Sequence, residues 1–349
     1  MLSFETQINQ YTSKCHSGLV VIDESLNVTQ LRSVPGWLAL TNRFDQHTEL
    51  LKRDWTSHFS DFVWPDTQAF DCVIFRVSKE RAVVHHLINQ AANHLPAGSR
   101  LILFGQKSEG IKTYAKSGQK RLGGERHEKK LEGESWVIEL TRGPQVGEPL
   151  DDQKYDQIRE VGQVCEHSLL SKPGVYGWKK IDKGSWQLIN RLPHMLKSEL
   201  PLGALQLLDL GSGSGYLALA TSGPTTEVTC TDNNAAAQLA TLATLEGAGF
   251  KAQFVFSNAG EELESEFDLI LCNPPFHSGF GIDYDLTDRF SKSASRLLKR
   301  EGKACFVVNQ HVPLKRIASN YFNSVELDQD SGNFCTYVLT QPRLQKPQS

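Results

Sequence analysis

Asn273-Pro274-Pro275-Phe276 is the segment of this chain best equipped to hold a planar nitrogen. Two consecutive prolines fix their φ angles, remove two backbone donors and push Asn273 away from helical geometry. What remains is a stiff set of acceptors. The Asn273 side-chain oxygen and the Pro274 carbonyl are placed to receive the two hydrogens of an –NH2 group, and an aromatic ring at Phe276 offers a face on which the amine-bearing ring can stack. The preceding residues, Phe267-Asp268-Leu269-Ile270-Leu271-Cys272, read as an apolar strand, so Asn273 falls at a carboxyl end, where open α/β sheets bind their ligands. His277 follows at once, but the histidines of the chain show no ligand spacing with carboxylates or thiols, so no metal is expected.

A second candidate lies upstream. Leu207-Leu208-Asp209-Leu210-Gly211-Ser212-Gly213-Ser214-Gly215 runs from an apolar strand into a helix, with glycines where backbone must approach a ligand closely. Gly213-x-Gly215-x-x-Ala218 also fits a dinucleotide fingerprint, and Asp232, ending the next strand, suits the ribose hydroxyls of either a nicotinamide dinucleotide or S-adenosylmethionine. Asp209 favours the methyl donor, because a carboxylate there suits the cofactor's amino-acid portion and repels a pyrophosphate. Asn258, after the strand ending at Phe256, is placed to contact an adenine amine. The chemistry implied is methyl transfer to a nitrogen. A sulfonium is already a good leaving group, so alignment and charge stabilisation matter more than a strong base.

The elements that must position these residues alternate short apolar runs with helical patterns, which indicates an α/β fold with a parallel sheet covered on both faces. Strands are expected over 205–209, 227–231, 252–256, 267–272 and 303–309, and helices after the glycine loop and over 235–246 and 288–298. A closing hairpin over 324–328 and 334–340 turns at Asp330-Ser331-Gly332-Asn333. The first half echoes this plan. Phe70-Asp71-Cys72-Val73-Ile74-Phe75 resembles 267–272, and the helix and strand over 85–104 parallel those over 293–307. Chemistry is missing from the echo, because no glycine-rich turn is present and Arg76-Val77-Ser78-Lys79 stands where the second half has Asn273 to Phe276. A connector rich in glycine, proline and acidic residues over 142–152 places the boundary near residue 145, giving domains 1–145 and 146–349.

Bulk properties allow two domains in 349 residues and exclude little else. A net charge of -3 gives no global signature of nucleic-acid binding, so any such contact must be local. Residues 107–130 supply a candidate patch, with six lysines and two arginines against three glutamates. Seven scattered cysteines without a C-x-x-C pair suggest reduced, mostly buried thiols in a cytoplasmic protein, and no apolar run is long enough to span a membrane.

The glycine loop, Asp232 and Asn273-Pro274-Pro275-Phe276 together resemble the class I methyltransferases with a methyltransferase small catalytic domain. Lys172-Pro173-Gly174-Val175-Tyr176-Gly177-Trp178, followed by Ile181-Asp182-Lys183-Gly184-Ser185, is similar to a segment of the bacterial small-subunit rRNA guanine-N2 methyltransferases of the RsmC type. The resemblance implies two tandem Rossmann-like methyltransferase domains, the first degenerate and serving RNA binding and folding support. It implies S-adenosylmethionine held by Asp209, Gly211, Gly213, Gly215, Asp232 and Asn258, with Asp182 and Ser185 closing the site, and a target guanine at Asn273, Pro274, Pro275 and Phe276. The partner would be ribosomal RNA or the small ribosomal subunit, and a monomer is admissible. Departures are Ser212 for the family's usual cysteine, Tyr176 for phenylalanine, and Gln310 and His311 after Asn309. The strand-end motif alone leaves open a guanine of 23S rRNA, an adenine amine or a glutamine amide, and the glycine loop leaves open an NAD(P)-dependent oxidoreductase.

Overall fold

The computed structural model describes residues 3–65, 69–275, 277–278, 281–282 and 284–343. Two compact units divide the chain, Met1–Gln157 and Ile158–Ser349. The first contains α1 (Phe4–Thr12), β1 (Gly18–Ile22), β2 (Trp37–Thr41), α2 (Phe44–Leu51), β3 (Thr56–Phe59), β4 (Cys72–Arg76), α3 (Arg81–His94), β5 (Arg100–Gln106), α4 (Ile111–Leu122), β6 (Gly123–Lys130) and β7 (Ser135–Arg142). Its seven strands form one sheet in the order β3-β2-β1-β4-β5-β7-β6, parallel except for β7.

The second unit opens on an antiparallel pair, β8 (Arg159–Val164) with β9 (His167–Ser171), followed by α5 (Lys183–Leu196). Its main sheet comprises β10 (Gln206–Leu210), β11 (Glu227–Asp232), β12 (Ala252–Phe256), β13 (Phe267–Cys272), β16 (Leu298–Asn309), β17 (Phe322–Asp330) and β18 (Phe334–Pro342), with β14 (His277–Ser278) and β15 (Gly281–Ile282) forming a separate short pair. Between them run α6 (Tyr216–Thr221), α7 (Ala235–Gly247), α8 (Tyr284–Leu297) and α9 (Leu314–Ala318). The sheet order β12-β11-β10-β13-β16-β18-β17 repeats that of the first unit strand for strand. The expected duplication is therefore present in the topology.

Strand alternation explains how each sheet is covered on both faces. Leu208, Leu210, Ile270 and Cys272 enter one apolar cluster with α8, whereas Leu207, Leu269 and Leu271 enter another with α5 and α6. In the first unit Leu19 and Val21 face α3 and α4, while Val20 and Ile22 pack with Leu26, Val28 and Leu50. Among the described residues no helix is long and apolar enough to cross a membrane.

The boundary differs from the one read near residue 145, because the stretch after it is pinned to the first unit. Gly147 N–H donates to Arg121 O, Leu150 N–H donates to Asn89 Oδ1 at 2.9 Å, and the buried Tyr155 hydroxyl donates to Asp61 at 2.7 Å. Polar anchors of this kind leave no periodicity in sequence. The 107–130 patch is also thinner than its composition suggests. Arg121 is buried and donates to Asn89, Asn93 and Gly147 O, while Lys112 pairs with Glu128 and lies over the Trp136 ring.

Candidate active site

The carboxyl ends of β10, β11 and β13 meet along one edge, since Leu210 registers with Thr231 on one side and Cys272 on the other. The chain leaving β10 enters the glycine loop, and the chain leaving β13 enters Asn273. Both features read from sequence therefore lie at one edge of the sheet, the place where open α/β sheets bind their ligands.

The loop is held from several directions. Gly211 and Ser212 N–H groups both donate to Thr231 O, at 2.9 and 3.0 Å. Gly213 N–H donates to Asp232 Oδ2 at 3.1 Å, and the Thr241 hydroxyl donates to Gly213 O at 3.1 Å. Gly211, Gly213 and Gly215 all have positive φ, at 84°, 56° and 77°. A side chain at Gly211 would meet Phe290 and one at Gly215 would meet Thr241, but at Gly213 nothing lies within 4 Å of where a Cβ would stand. The loop thus offers backbone to open space at Gly213, a cradle into which a ligand fits. α6 begins directly after it, so its first N–H groups face the same region.

Asp232 has both oxygens engaged, Oδ1 accepting from Asn233 and Asn234 N–H at 2.8 and 3.0 Å. A carboxylate has about four acceptor sites, so capacity for ribose hydroxyls remains. Asp209 is fully buried behind the loop. Its Oδ2 accepts from Ala218 N–H at 3.0 Å, fastening the first turn of α6, and its Oδ1 has no partner among the described residues. Burial, reinforced by the Asp232 charge, pushes its carboxyl up to about 7 against the lowering effect of the Ala218 bond. Asn258 follows β12, with its N–H donating to Glu262 at 2.9 Å.

The Asn273 amide is fixed by two groups from α5. Its Nδ2 donates to Asp182 Oδ2 and to Ser185 Oγ, both at 2.8 Å. The ionised carboxylate only accepts, which decides that the NH2 end faces Asp182. Asn273 Oδ1 is consequently turned the other way, buried and without a partner among the described residues. Asp182 is itself the N-cap of α5, Oδ2 accepting from Ser185 N–H at 2.9 Å. Gly184 leaves little room between them: a Cβ there would stand 3.1 Å from Asp182 Oδ2 and 3.2 Å from the Phe334 ring, so a side chain would press on the lock. Pro274 is buried and Pro275 exposed, and Phe276 lies outside the described residues.

The segment leading into α5 wraps the crevice from its other side. Asn234 Nδ2 donates to Gly174 O at 2.9 Å, and Val175 packs with Ala236 and Ala240. Asp182 and Ser185 thus reach the site through Asn273. Resemblance places both at the site, and their D-x-x-S spacing is in addition a helix N-cap pattern. Thr241 and Asn234 escaped the reading: the first is an unremarkable helix residue, while the second carries a capping signal before the Ala235-Ala236-Ala237 run. Among the described residues no group of His, Cys, Asp and Glu could hold a metal.

The first unit closes the equivalent places. Val21 registers with Leu40 on one side and Phe75 on the other, as Leu210 does with Thr231 and Cys272, so Thr41 stands for Asp232 and Arg76 for Asn273. Arg76 is consumed by an ion pair with Glu109 at 2.6 Å. Asp23 to Asn27 replaces the glycine loop, with Leu26 buried and Gln46 Nε2 donating to Asp23 O at 2.6 Å.

Comparison with known proteins agrees with this division. Residues 166–338 match the family described as methyltransferase small domain, and residues 21–124 match its companion, the methyltransferase small domain N-terminal. Proteins called ribosomal RNA small subunit methyltransferase C from Shewanella loihica and Pseudomonas entomophila are each 29% identical over 282 residues, covering 78% of this chain and 78% and 80% of their own lengths. That of Shewanella halifaxensis is 29% identical over 320 residues, 88% of this chain and 87% of the relative. The solved T. thermophilus 16S rRNA N2 methyltransferase in complex with AdoMet and guanosine shares the fold with a TM-score of 0.80 at 21% identity, covering 97% of this chain and 92% of its own.

Proposed function

The chain belongs to the RsmC-type methyltransferases, and on that premise we propose that it transfers a methyl group from S-adenosylmethionine to the exocyclic N2 amine of a guanosine in 16S rRNA. One observation carries the reading: an asparagine whose amide nitrogen is locked by a carboxylate and a hydroxyl, leaving its buried oxygen without a partner among the described residues, at the strand end on the same sheet edge as an open glycine cradle.

S-adenosylmethionine would supply an activated methyl group on a sulfonium. Gly211, Gly213 and Gly215 would hold it through backbone, Asp232 through its ribose hydroxyls and Asn258 through its adenine, with Asp209 bracing the loop from behind. Asn273 Oδ1 accepts one hydrogen of the target amine. That bond orients the amine and stabilises positive charge developing on its nitrogen. Asp182, donating no proton and accepting from Asn273 Nδ2, increases the negative character of Oδ1 along the amide. The buried setting strengthens each of these interactions relative to water. A guanine amine needs no strong base before attack, and proton loss follows to solvent. The base must be unpaired or flipped to reach a crevice of this kind.

The test incubates the protein and labelled cofactor with purified small- and large-subunit RNA and particles from a strain lacking it, then maps the modified base. Label on a guanine N2 of 16S rRNA is expected. Label elsewhere, or saturable NAD(P)H binding with none of S-adenosylmethionine, refutes the proposal. Asn273→Ala should lower transfer at least about a hundredfold, as loss of one preorganised catalytic contact does, while cofactor affinity largely survives.

A further inference from the structure

Segment 176–186 places aromatics and cations on the surface and carries Asp182 and Ser185, the two groups that hold Asn273. Tyr176 is 83% exposed and Trp186 57%, whereas the other aromatics among the described side chains are buried or half-buried. Neither ring has an aromatic or cationic partner among the described residues. Between them Lys179, Lys180 and Lys183 are all exposed, against the single acid Asp182, which is committed to Asn273 and the α5 cap.

The backbone of the segment is firmly seated, so the two exposed rings are presented from fixed points of the chain. Trp178 packs against Val175, Ala236 and Ala240 and lies under the Arg159 guanidinium at 4.8 Å. Gly174 O accepts from Asn234 at one end, and at the other Trp186 N–H donates to Asp182 O at 2.9 Å in the first turn of α5. Trp186 is one residue from Ser185, whose Oγ accepts from Asn273 at 2.8 Å. A large ring held in water beside a reactive crevice loses the stabilisation of burial unless a ligand covers it.

We infer that this segment is a platform for single-stranded RNA, on which Trp186 and Tyr176 stack bases flanking the target while Lys179, Lys180 and Lys183 neutralise their phosphates. The inference rests on the proposed RNA substrate and adds which residues grip it. Rings interleaved with lysines fit this ligand because every base has a π-face and every nucleotide a charge. An extruded target base also leaves its neighbours unstacked, and a ring beside the crevice replaces that lost stacking.

The probe is a single-stranded RNA oligonucleotide of small-subunit sequence carrying a fluorescent adenine analogue next to a guanine, titrated into full-length protein over a series of salt concentrations. Wild-type protein should quench the analogue. Trp186→Ala should abolish quenching and weaken binding roughly 5- to 150-fold, the effect of losing one stacked base, and Trp186→Phe should restore most of it. Tyr176→Ala should weaken binding in the same range. Replacing the three lysines with alanine should reduce the slope of log affinity against log salt by about two. Because both rings are exposed, their removal should leave the fold intact, and far-ultraviolet circular dichroism of each variant checks this. Unchanged RNA affinity and quenching in both aromatic variants overturns the inference. So does sedimentation showing that Trp186→Ala dissociates a dimer while RNA affinity stays intact, since the rings would then cover a second copy. Binding needs no methyl transfer, so protein that grips RNA this way but methylates none sinks the functional reading and leaves the platform standing.

Discussion

Asn273 owes its orientation to Asp182, and the contrast between two substitutions isolates that debt. A single oxygen, Asp182 Oδ2, accepts from both Asn273 Nδ2 and Ser185 N–H. Asparagine at 182 can present its amide oxygen in the same place, keeping geometry but losing charge, so Asp182→Asn should lower kcat only several-fold. Alanine removes the acceptor and frees Asn273 to rotate. Asp182→Ala should lower kcat on the order of a hundredfold with little change in cofactor affinity, beyond about 1 kcal/mol of stability lost with the helix cap. Equal kcat in the two variants would refute a positioning role. Asp209 makes a second prediction at this scale. Its carboxyl is raised to about 7 when folded, against about 4 in an unfolded chain, so between these values the folded protein binds the extra proton. The stabilisation is complete below about pH 4 and is lost as pH rises towards 7. Asp209→Asn keeps an acceptor for Ala218 N–H without the titration. Thermal unfolding followed from pH 4 to 8 should show wild type losing stability relative to this variant, by on the order of a few kcal/mol, and parallel curves would contradict the assignment.

The glycine loop separates fold from binding within one element. Gly213 has open space where a Cβ would stand, while Gly215 is crowded by Thr241. Gly213→Ala should therefore cost only about 1 to 2 kcal/mol for its left-handed backbone, yet weaken S-adenosylmethionine binding by more than about tenfold as the methyl enters the cradle. Calorimetric titration beside thermal unfolding reads both, and wild-type affinity in a folded variant would remove Gly213 from the proposed cofactor site. The loop was visible in sequence because strand, glycines and helix follow one another along the chain. Strand-end Asn273 was visible for the same reason, as a local break after an apolar run. The lock on Asn273 was harder to read, since Asp182 and Ser185 lie 91 and 88 positions away, and resemblance brought them to the site without saying that they hold Asn273. Sequence pairs Asp182 with its own helix; folding pairs it with Asn273.

At the scale of the whole chain, two units share one strand order and differ in what fills the strand ends. The repeat was legible because apolar strands of matching length recur after similar helices. The boundary was not, because Tyr155, Gly147 and Leu150 tie the connector back to the first unit through isolated polar contacts. Degeneracy of the first unit goes beyond missing glycines. Buried Leu26 and the Gln46 bond to Asp23 O occupy the place of the loop, neutral Thr41 replaces Asp232, and the Arg76–Glu109 pair stands where Asn273 holds its oxygen free. Restoring one glycine there would not reopen it, since side chains now complete the packing. The chain should accordingly bind one S-adenosylmethionine. Calorimetry should give a stoichiometry near one, and Asp232→Ala, which frees Gly213 N–H and removes the ribose acceptor, should weaken that single event by more than about tenfold. Two binding events, or one that persists unweakened in Asp232→Ala, would place the methyl donor somewhere other than the β10–β11 crevice and return a binding role to the first unit.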